Sequence, residues 1–363
     1  MSTISDRLTT LRQQVDLLDD EIGQLLERRA QAAKQIGEYK RSQGEDAVYY
    51  KPEREIEILR DKLKKYSGLI HAEDLASIYR AIFRACLNLQ KPIQVGYLGP
   101  QGTFSQAALI QHFGQAVRQM ACESIEDIFK QIESNKIDYG VVPIENSTTG
   151  MINLTLDRLL VSPLQIIGEI KLRIQQNLLS LSTEIKNLKT IYSHQQSLWQ
   201  CQNWLKQHLP QAKQIAVASN AKAAELAKQD ATSAAIAGEL AAKAYQLNLL
   251  ASNIEDKSQN TTRFLILGQQ SVAATGNDKT SLIITTPHDP GALLKIMAPL
   301  AKHQVNITAI ASRPYQLENW TYLFFIDLEG HQTDKSLALA LAEIKQNPIM
   351  FKILGSYPQA VEI

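Results

Sequence analysis

A heptad seam near the N-terminus sets the tightest limit on what this chain can fold into. Ile4, Leu11, Leu18, Leu25, Ala32 and Tyr39 recur every seven residues, with Leu8, Val15, Ile22 and Ile36 as the partner row. That spacing marks a long helix seeking another helix. Arg29 interrupts the second row; a guanidinium on an apolar seam is costly unless paired, so it either bends out to water or meets an anion held between helices. Lys40 lies about 20° from Arg29 around the helix and roughly 16 Å along it, and Arg12 flanks the same seam. Arg12 and Arg29, however, are roughly 26 Å apart on a straight helix. If both serve one small polyanion, Arg12 must come from a second chain, and an intertwined homodimer is the expected assembly.

Pro52 suits the first position of a second helix, which carries Arg54 and Glu55 ahead of Ile56, Leu59 and Leu63. A third helix is predicted from about Ala72 to Gln90, with Cys86 and Gln90, four apart, on one face. The whole chain has 363 residues, too many for one ordinary core. Hydrophobic residues at 44% can fill real cores, and a net charge of +1 gives no reason to invoke nucleic acid or an acidic membrane. The N-terminus lacks a signal-type apolar segment, and no run is long enough to span a membrane, so a cytoplasmic protein is expected. Cys86, Cys122 and Cys201 are odd in number and widely spaced, suggesting neither disulfides nor a zinc site.

Residues 1–92 resemble the small all-helical chorismate mutase domain, through LRQQVDLLDDEIGQLLERRAQAAKQIGEYK, then YYKPEREIEIL, then the Cys86 and Gln90 pair. The resemblance implies a dimer sharing its first helix and a pericyclic rearrangement of chorismate to prephenate, which needs positioning and charge stabilisation but no covalent catalyst. It also implies roles. Arg12 of the partner chain and Arg29 bind substrate carboxylates, Lys40 and Gln90 donate to the ether oxygen, and Glu55 takes the ring hydroxyl beside Arg54. Cys86 stands where some members have Ser, and Lys51 where some have Asp.

After Pro92 the texture changes to short β-branched runs alternating with helical ones, the pattern of α/β units with parallel strands. Val95 to Gly99 runs into a polar, glycine-bracketed loop and a helix from about Gln106. Val141, Val142 and Ile144 form an apolar strand that empties into Glu145, Asn146, Ser147, Thr148 and Thr149, and ligands in open α/β sheets bind at such strand ends. Further strands at Arg118 to Ala121 and Leu164 to Ile170 complete a first lobe. A second lobe is expected from near Leu172, with strands ending at Ser193 and His194, at Ser219 and Asn220, and at Gly238. Phe264 to Leu267 then reads as a strand that could cross back. Two lobes with a cleft between them explain why polar strand ends recur on both sides.

Residues 93–272 resemble prephenate dehydratase, through GYLGPQGTFSQAA, VVPIENSTTG and QNTTRF in that order. The resemblance implies a two-lobed, periplasmic-binding-protein-like domain that turns prephenate into phenylpyruvate, with no metal and no cofactor. It assigns proton donation or hydroxyl positioning to Thr262, working in a network with Ser147, Thr148 or a water, since an unassisted Thr hydroxyl is a poor acid. Arg263 becomes a carboxylate anchor, and Thr103, Ser105, Asn146 and Asn220 become substrate contacts. Gln195 stands where many members have Pro, and His194 is read as positional.

Gln269 to Lys279 has a linker composition. Beyond it, strands at Ser281 to Thr285, Asn306 to Ala311, Trp320 to Leu328 and Phe351 to Leu354, with helices at Pro290 to His303 and Asp334 to Gln346, give the βαββαβ order of a ferredoxin-like domain over 279–363. This unit resembles the ACT regulatory domain, whose phenylalanine-binding segments appear here as Gly291, Ala292, Leu293, Leu294 and as Ala311, Ser312, Arg313, Pro314, with Ala311 where Glu is usual. In order, the three resemblances are those of bifunctional chorismate mutase/prephenate dehydratases, implying chorismate, prephenate and phenylalanine as ligands and a homodimer or higher homo-oligomer. Two other readings stand beside it: a dehydratase whose helical domain only dimerises, and a non-catalytic ligand sensor.

Overall fold

The heptad segment forms one uninterrupted helix, α1 (Ser2–Ser42), in the computed structural model of the chain. The structure describes residues 2–42, 44, 48–66, 68–286, 289–315, 321–346 and 350–359. Pro52 opens α2 (Pro52–Lys65), where its missing N–H costs nothing, and α3 (Ala72–Gln90) follows. Leu59 of α2 and Leu75, Phe83, Cys86 and Leu87 of α3 are buried. The seam of α1 is not: Leu8, Leu11, Val15, Leu18, Ile22, Leu25, Ile36 and Tyr39 are each about half exposed or more. Packing within one chain therefore leaves the heptad row uncovered. Gly37 marks a close approach of α1 to α3, since a Cβ there would stand 2.6 Å from the Gln90 Cα. These helices belong to one compact unit and the remaining elements to a second.

The second unit opens with β1 (Gln94–Leu98), α4 (Phe104–Phe113), β2 (Arg118–Cys122), α5 (Ile125–Glu133), β3 (Tyr139–Asn146), β4 (Gly150–Met151), α6 (Asn153–Val161) and β5 (Gln165–Arg173). β3 is buried from Tyr139 through Ile144, as a strand covered on both faces must be. The chain then builds a second sheet and its helices: β6 (Asn177–Ser180), β7 (Thr190–His194), α7 (Gln195–Gln200), α8 (Gln202–His208), β8 (Lys213–Val217), α9 (Asn220–Ala227), β9 (Ser233–Ala237), α10 (Glu239–Tyr245) and β10 (Asn248–Ala251). It returns to the first sheet as β11 (Thr261–Gly268). The sheet orders are β2-β1-β3-β11-β5 and β10-β6-β9-β7-β8.

The crossing back of β11 matches expectation; uniformly parallel strands do not. β11 is antiparallel to both β3 and β5, because it arrives directly from the other lobe and not through a helix crossover. β6 and β10, which the sequence analysis does not anticipate, pair antiparallel with each other, and at four residues each they are too short to show alternation. β5 ends at Arg173, beside the expected lobe boundary near Leu172, and β6 is the first strand of the second lobe. α4 begins at Phe104, two residues before its expected start.

The C-terminal elements are β12 (Asp278–Thr286), α11 (Ala292–Lys302), β13 (Ile307–Tyr315), β14 (Thr321–Glu329), α12 (Lys335–Ile344) and β15 (Met350–Pro358), a βαββαβ domain with sheet order β13-β14-β12-β15. Trp320, the expected start of the third of these strands, lies outside the described residues. One face of this sheet packs Leu282, Ile284, Phe324 and Ile326 under α11 and α12. From the other face Ile283, Leu323, Phe325, Leu354 and Tyr357 join Ile166, Leu265 and Leu267 of the first sheet in one core. Lys352 on β15 donates to the carbonyls of Leu159 (2.8 Å), Leu160 (3.1 Å) and Ser162 (2.5 Å), satisfying the last turn of α6 with a cation. Among the described residues, no helix is long and apolar enough to cross a membrane.

Candidate active site

The register of β11 on β3 sets Thr262 opposite Asn146 at the mouth of the interlobe cleft. Asn146 Oδ1 accepts from the backbone N–H of Thr148 (3.0 Å) and Thr149 (3.2 Å). Backbone N–H groups only donate, so the carboxamide has one orientation, with Nδ2 facing Asn260 Oδ1 and Thr262 Oγ1, each at 2.8 Å. The Thr262 hydroxyl thus accepts from Asn146, and its own proton has no acceptor among the described residues. It is free to be donated into the cleft. Thr148 Oγ1 donates to Asn260 Oδ1 (3.3 Å), and Ser147 Oγ accepts from Thr261 N (3.0 Å), so both of these residues brace the loop that holds Asn146.

The opposite wall follows the same logic. Asn220 Oδ1 accepts from the backbone N–H of His194 (3.0 Å), its Nδ2 donates to Ser197 Oγ (2.9 Å), and Gln176 Nε2 donates to Ser197 Oγ (3.0 Å) and Gln200 Oε1 (3.4 Å). Gln200 Nε2 ends this chain, buried and without a partner among the described residues. Gln176 and Gln200 are absent from the sequence expectations, because neither sits in a strand-end cluster. His194 caps α7 by accepting from Gln196 N (3.3 Å). The cleft has a volume of about 280 Å³, and Thr103, Ser105, Asn146, Asn220 and Thr262 all line it. Among the described residues its lining includes no Lys, Arg, Asp or Glu; the N-terminal turns of α4 and α9, both on the wall, supply the positive end of a helix dipole instead.

In the helical unit, Arg29 donates to Cys86 Sγ (2.7 Å) with its guanidinium 5.4 Å from the Phe83 ring centre. Lys40 donates to Gln90 Oε1 (3.3 Å) and to the Val48 carbonyl (2.9 Å). Burial, and then Lys51, lower the Lys40 pKa. Glu55 is pushed up to about 7 by burial, against the opposing pull of Arg84 and Arg29. Arg29 thus meets Cys86 and acts on Glu55 together with Arg84, which no sequence pattern marks, while Lys40 and Gln90 form a separate pair. Arg54 is exposed and pairs with Glu57 (3.6 Å), and Arg12 is exposed on α1. In the C-terminal domain Gly291 caps α11 at a φ of 80°, a left-handed conformation that suits glycine, and Ala292, Leu293 and Leu294 form the first turn. Ser312, Arg313 and Pro314 lie on the edge strand β13, where Arg313 pairs with Asp157 of α6.

Three family models match in this order: chorismate mutase type II over residues 11–91, prephenate dehydratase over 95–272, and the ACT domain over 280–346. A bifunctional chorismate mutase/prephenate dehydratase of Neisseria gonorrhoeae is 44% identical over 362 residues, 99% of each chain. One of Pseudomonas aeruginosa is 42% identical over 360 residues, 98% of this chain and 99% of the relative. The chain belongs to the bifunctional chorismate mutase/prephenate dehydratase family. A solved prephenate dehydratase from Arthrobacter aurescens, in complex with L-Phe, is 35% identical, with a TM-score of 0.69 over 74% of this chain and 90% of that one.

Arg263, expected as a substrate anchor of the dehydratase domain, does not line the cleft. Successive side chains of a strand point to opposite faces, so a Thr262 that faces the cleft sends Arg263 away from it. There Arg263 meets protein carboxylates: Nε lies 2.7 Å from Glu169 Oε2 and Nη1 2.5 Å from Asp327 Oδ2, while Nη2 donates to Tyr357 Oη (3.0 Å). Lys279 pairs with Glu169 (2.9 Å), and Ser281 donates to Asp327 Oδ1 (2.5 Å). Burial opposes ionisation of Glu169, but Arg263 and Lys279 outweigh it and hold the carboxyl below its ordinary pKa. Asp327 and Tyr357 belong to the ACT domain, so the set joins that domain to the strand carrying Thr262. Asp327→Ala is expected to lower the unfolding free energy by about 3 kcal/mol, because it strips a carboxylate from a buried guanidinium. Urea titration at unchanged m-value measures it, and a loss below about 1 kcal/mol would show that Arg263 does not depend on this pair.

Proposed function

We propose that the helical domain rearranges chorismate to prephenate, that the dehydratase cleft converts prephenate to phenylpyruvate, and that phenylalanine inhibits through the ACT domain. What supports this reading is that each unit brings polar residues together: Arg29 beside Cys86 and Lys40 beside Gln90 in one, Asn146, Thr262 and Asn220 lining one cleft in the other. The first reaction is unimolecular, so the helical set has only to hold the reactive conformer and to stabilise charge on the ether oxygen, for which Lys40 and Gln90 stand together. Arg12 completes the site from a second copy. The uncovered heptad seam on α1 supports that homodimer, and three buried free cysteines support a reducing, cytoplasmic location.

In the second reaction the ring carboxylate leaves as CO2, its electron pair moves into the ring, and the C–O bond to the ring hydroxyl breaks as that oxygen takes a proton. Thr262 passes on the proton and regains one from solvent, and the Asn146 N–H bonded to its oxygen stabilises the charge that develops there in between. Phenylalanine shifts activity only by binding one arrangement of the ACT domain better than the other. The L-Phe in the A. aurescens dehydratase and the left-handed Gly291 at the start of α11 support binding there.

Arg29→Ala is expected to cut chorismate consumption by about 100-fold or more while leaving prephenate conversion intact, and Thr262→Ala to do the reverse. Separate assays with the two substrates test this, and a parallel loss of both activities in either variant contradicts two independent sites. Glu55 gives a pH signature. As an ionised acceptor for the ring hydroxyl it makes kcat/KM for chorismate rise with pH through about 7, and Glu55→Gln removes the inflection. Folding favours its protonated form, so this group's contribution to stability is full below its ordinary pKa of 4.5 and fades as pH rises through about 7.

A further inference from the structure

The dehydratase cleft must bind a dianion, yet among the described residues its lining includes no Lys or Arg, and its one imidazole, His194, accepts at Nδ1 from Gln196 N. Neutral donors have to do this, and one of them is already aimed. Asn260 is 5% exposed and lines the cleft where the chain passes from the second lobe back into β11. Its orientation follows by elimination from the backbone. The Thr148 and Thr149 N–H groups fix Asn146 Oδ1, which turns Asn146 Nδ2 toward Asn260. A donor facing Asn260 requires its oxygen there, and Thr148 Oγ1 donates to the same Oδ1. The Asn260 –NH2 therefore points the other way, and it is buried with no partner among the described residues. A buried, unpaired donor costs about as much as a lost hydrogen bond, and native proteins keep few of them. The Ile174 N–H donates to the Asn260 carbonyl (2.8 Å), tying the two segments that cross between the lobes and holding the residue in place.

We propose that Asn260 is a further substrate-binding residue of the dehydratase step, its Nδ2 donating to an oxygen of a substrate carboxylate. The assignment rests on the reading that this cleft turns over prephenate. Its chemistry is specific to acceptors, since both lone-pair positions of Oδ1 are already taken by Asn146 and Thr148. The same oxygen also orders Asn146 and hence Thr262, so binding and positioning must be separated by experiment.

Asn260→Asp does this in the full chain. Its Oδ1 still accepts from Asn146 and Thr148, while a carboxylate oxygen replaces the donor and faces the anionic substrate. The KM for prephenate is expected to rise about tenfold or more with a much smaller change in kcat, and chorismate consumption stays at its original rate. Asn260→Ser, which removes the donor without adding charge, is expected to raise KM as well, and it serves where the Asp variant does not fold. A KM within twofold of the unmodified chain in the folded variants overturns the proposal. So does a fall in kcat at unchanged KM, which would make Asn260 only a support for Thr262. Failure of the unmodified chain to convert prephenate would instead reject the underlying reading of the cleft.

Discussion

The buried guanidinium of Arg263 on β11 organises the second unit. Arg263 and Lys279 face Glu169 and Asp327, two cations against two anions, and the hydroxyls of Tyr357 and Ser281 fill remaining hydrogen-bond positions. These groups come from β5, β11, β12, β14 and β15, so the set exists only when the dehydratase and ACT sheets are packed together. Breaking it strands a buried charge, which is far more costly than the set is stabilising. β11 is consequently fixed on one face by the ACT domain while it presents Thr262 on the other. A shift of the ACT sheet at this point must either carry Arg263 along or break a buried pair, which gives a ligand on that domain a physical route to the cleft.

The two candidate sites are built on different physics. In the helical domain Arg29 and Lys40 are cations on one helix; Arg29 acts on the half-buried Glu55, and burial lowers the Lys40 pKa. The cleft uses carboxamides whose orientations are dictated outward from backbone N–H groups, together with two helix N-termini. Oriented dipoles need no counter-charge and reorganise little when charge on the ligand moves, which suits a reaction that expels a carboxylate as neutral CO2.

Much of this was legible in the sequence because it depends on local pattern. The heptad rows specify α1, the β-branched run ending at Asn146 specifies a buried strand with a polar tip, and the βαββαβ order specifies the C-terminal domain. The placement of Arg263 was not read correctly from its neighbour Thr262, although the two-residue period of a strand already separates them onto opposite faces. Its partners could not be read at all: Glu169 and Tyr357 each lie 94 positions away, in elements that only the tertiary fold brings together. Likewise, the leftover donors of Gln200 and Asn260 appear only once every neighbouring amide has been oriented.

The central claim is that one chain carries out two consecutive steps under the control of a third domain. Purified protein given chorismate alone, with prephenate and phenylpyruvate followed over time in the presence and absence of phenylalanine, tests it most directly. Loss of chorismate with formation of phenylpyruvate, the latter suppressed by phenylalanine, is the predicted result. Conversion of added prephenate with chorismate untouched would reduce the helical domain to a dimerisation element, and turnover of neither substrate would contradict the account.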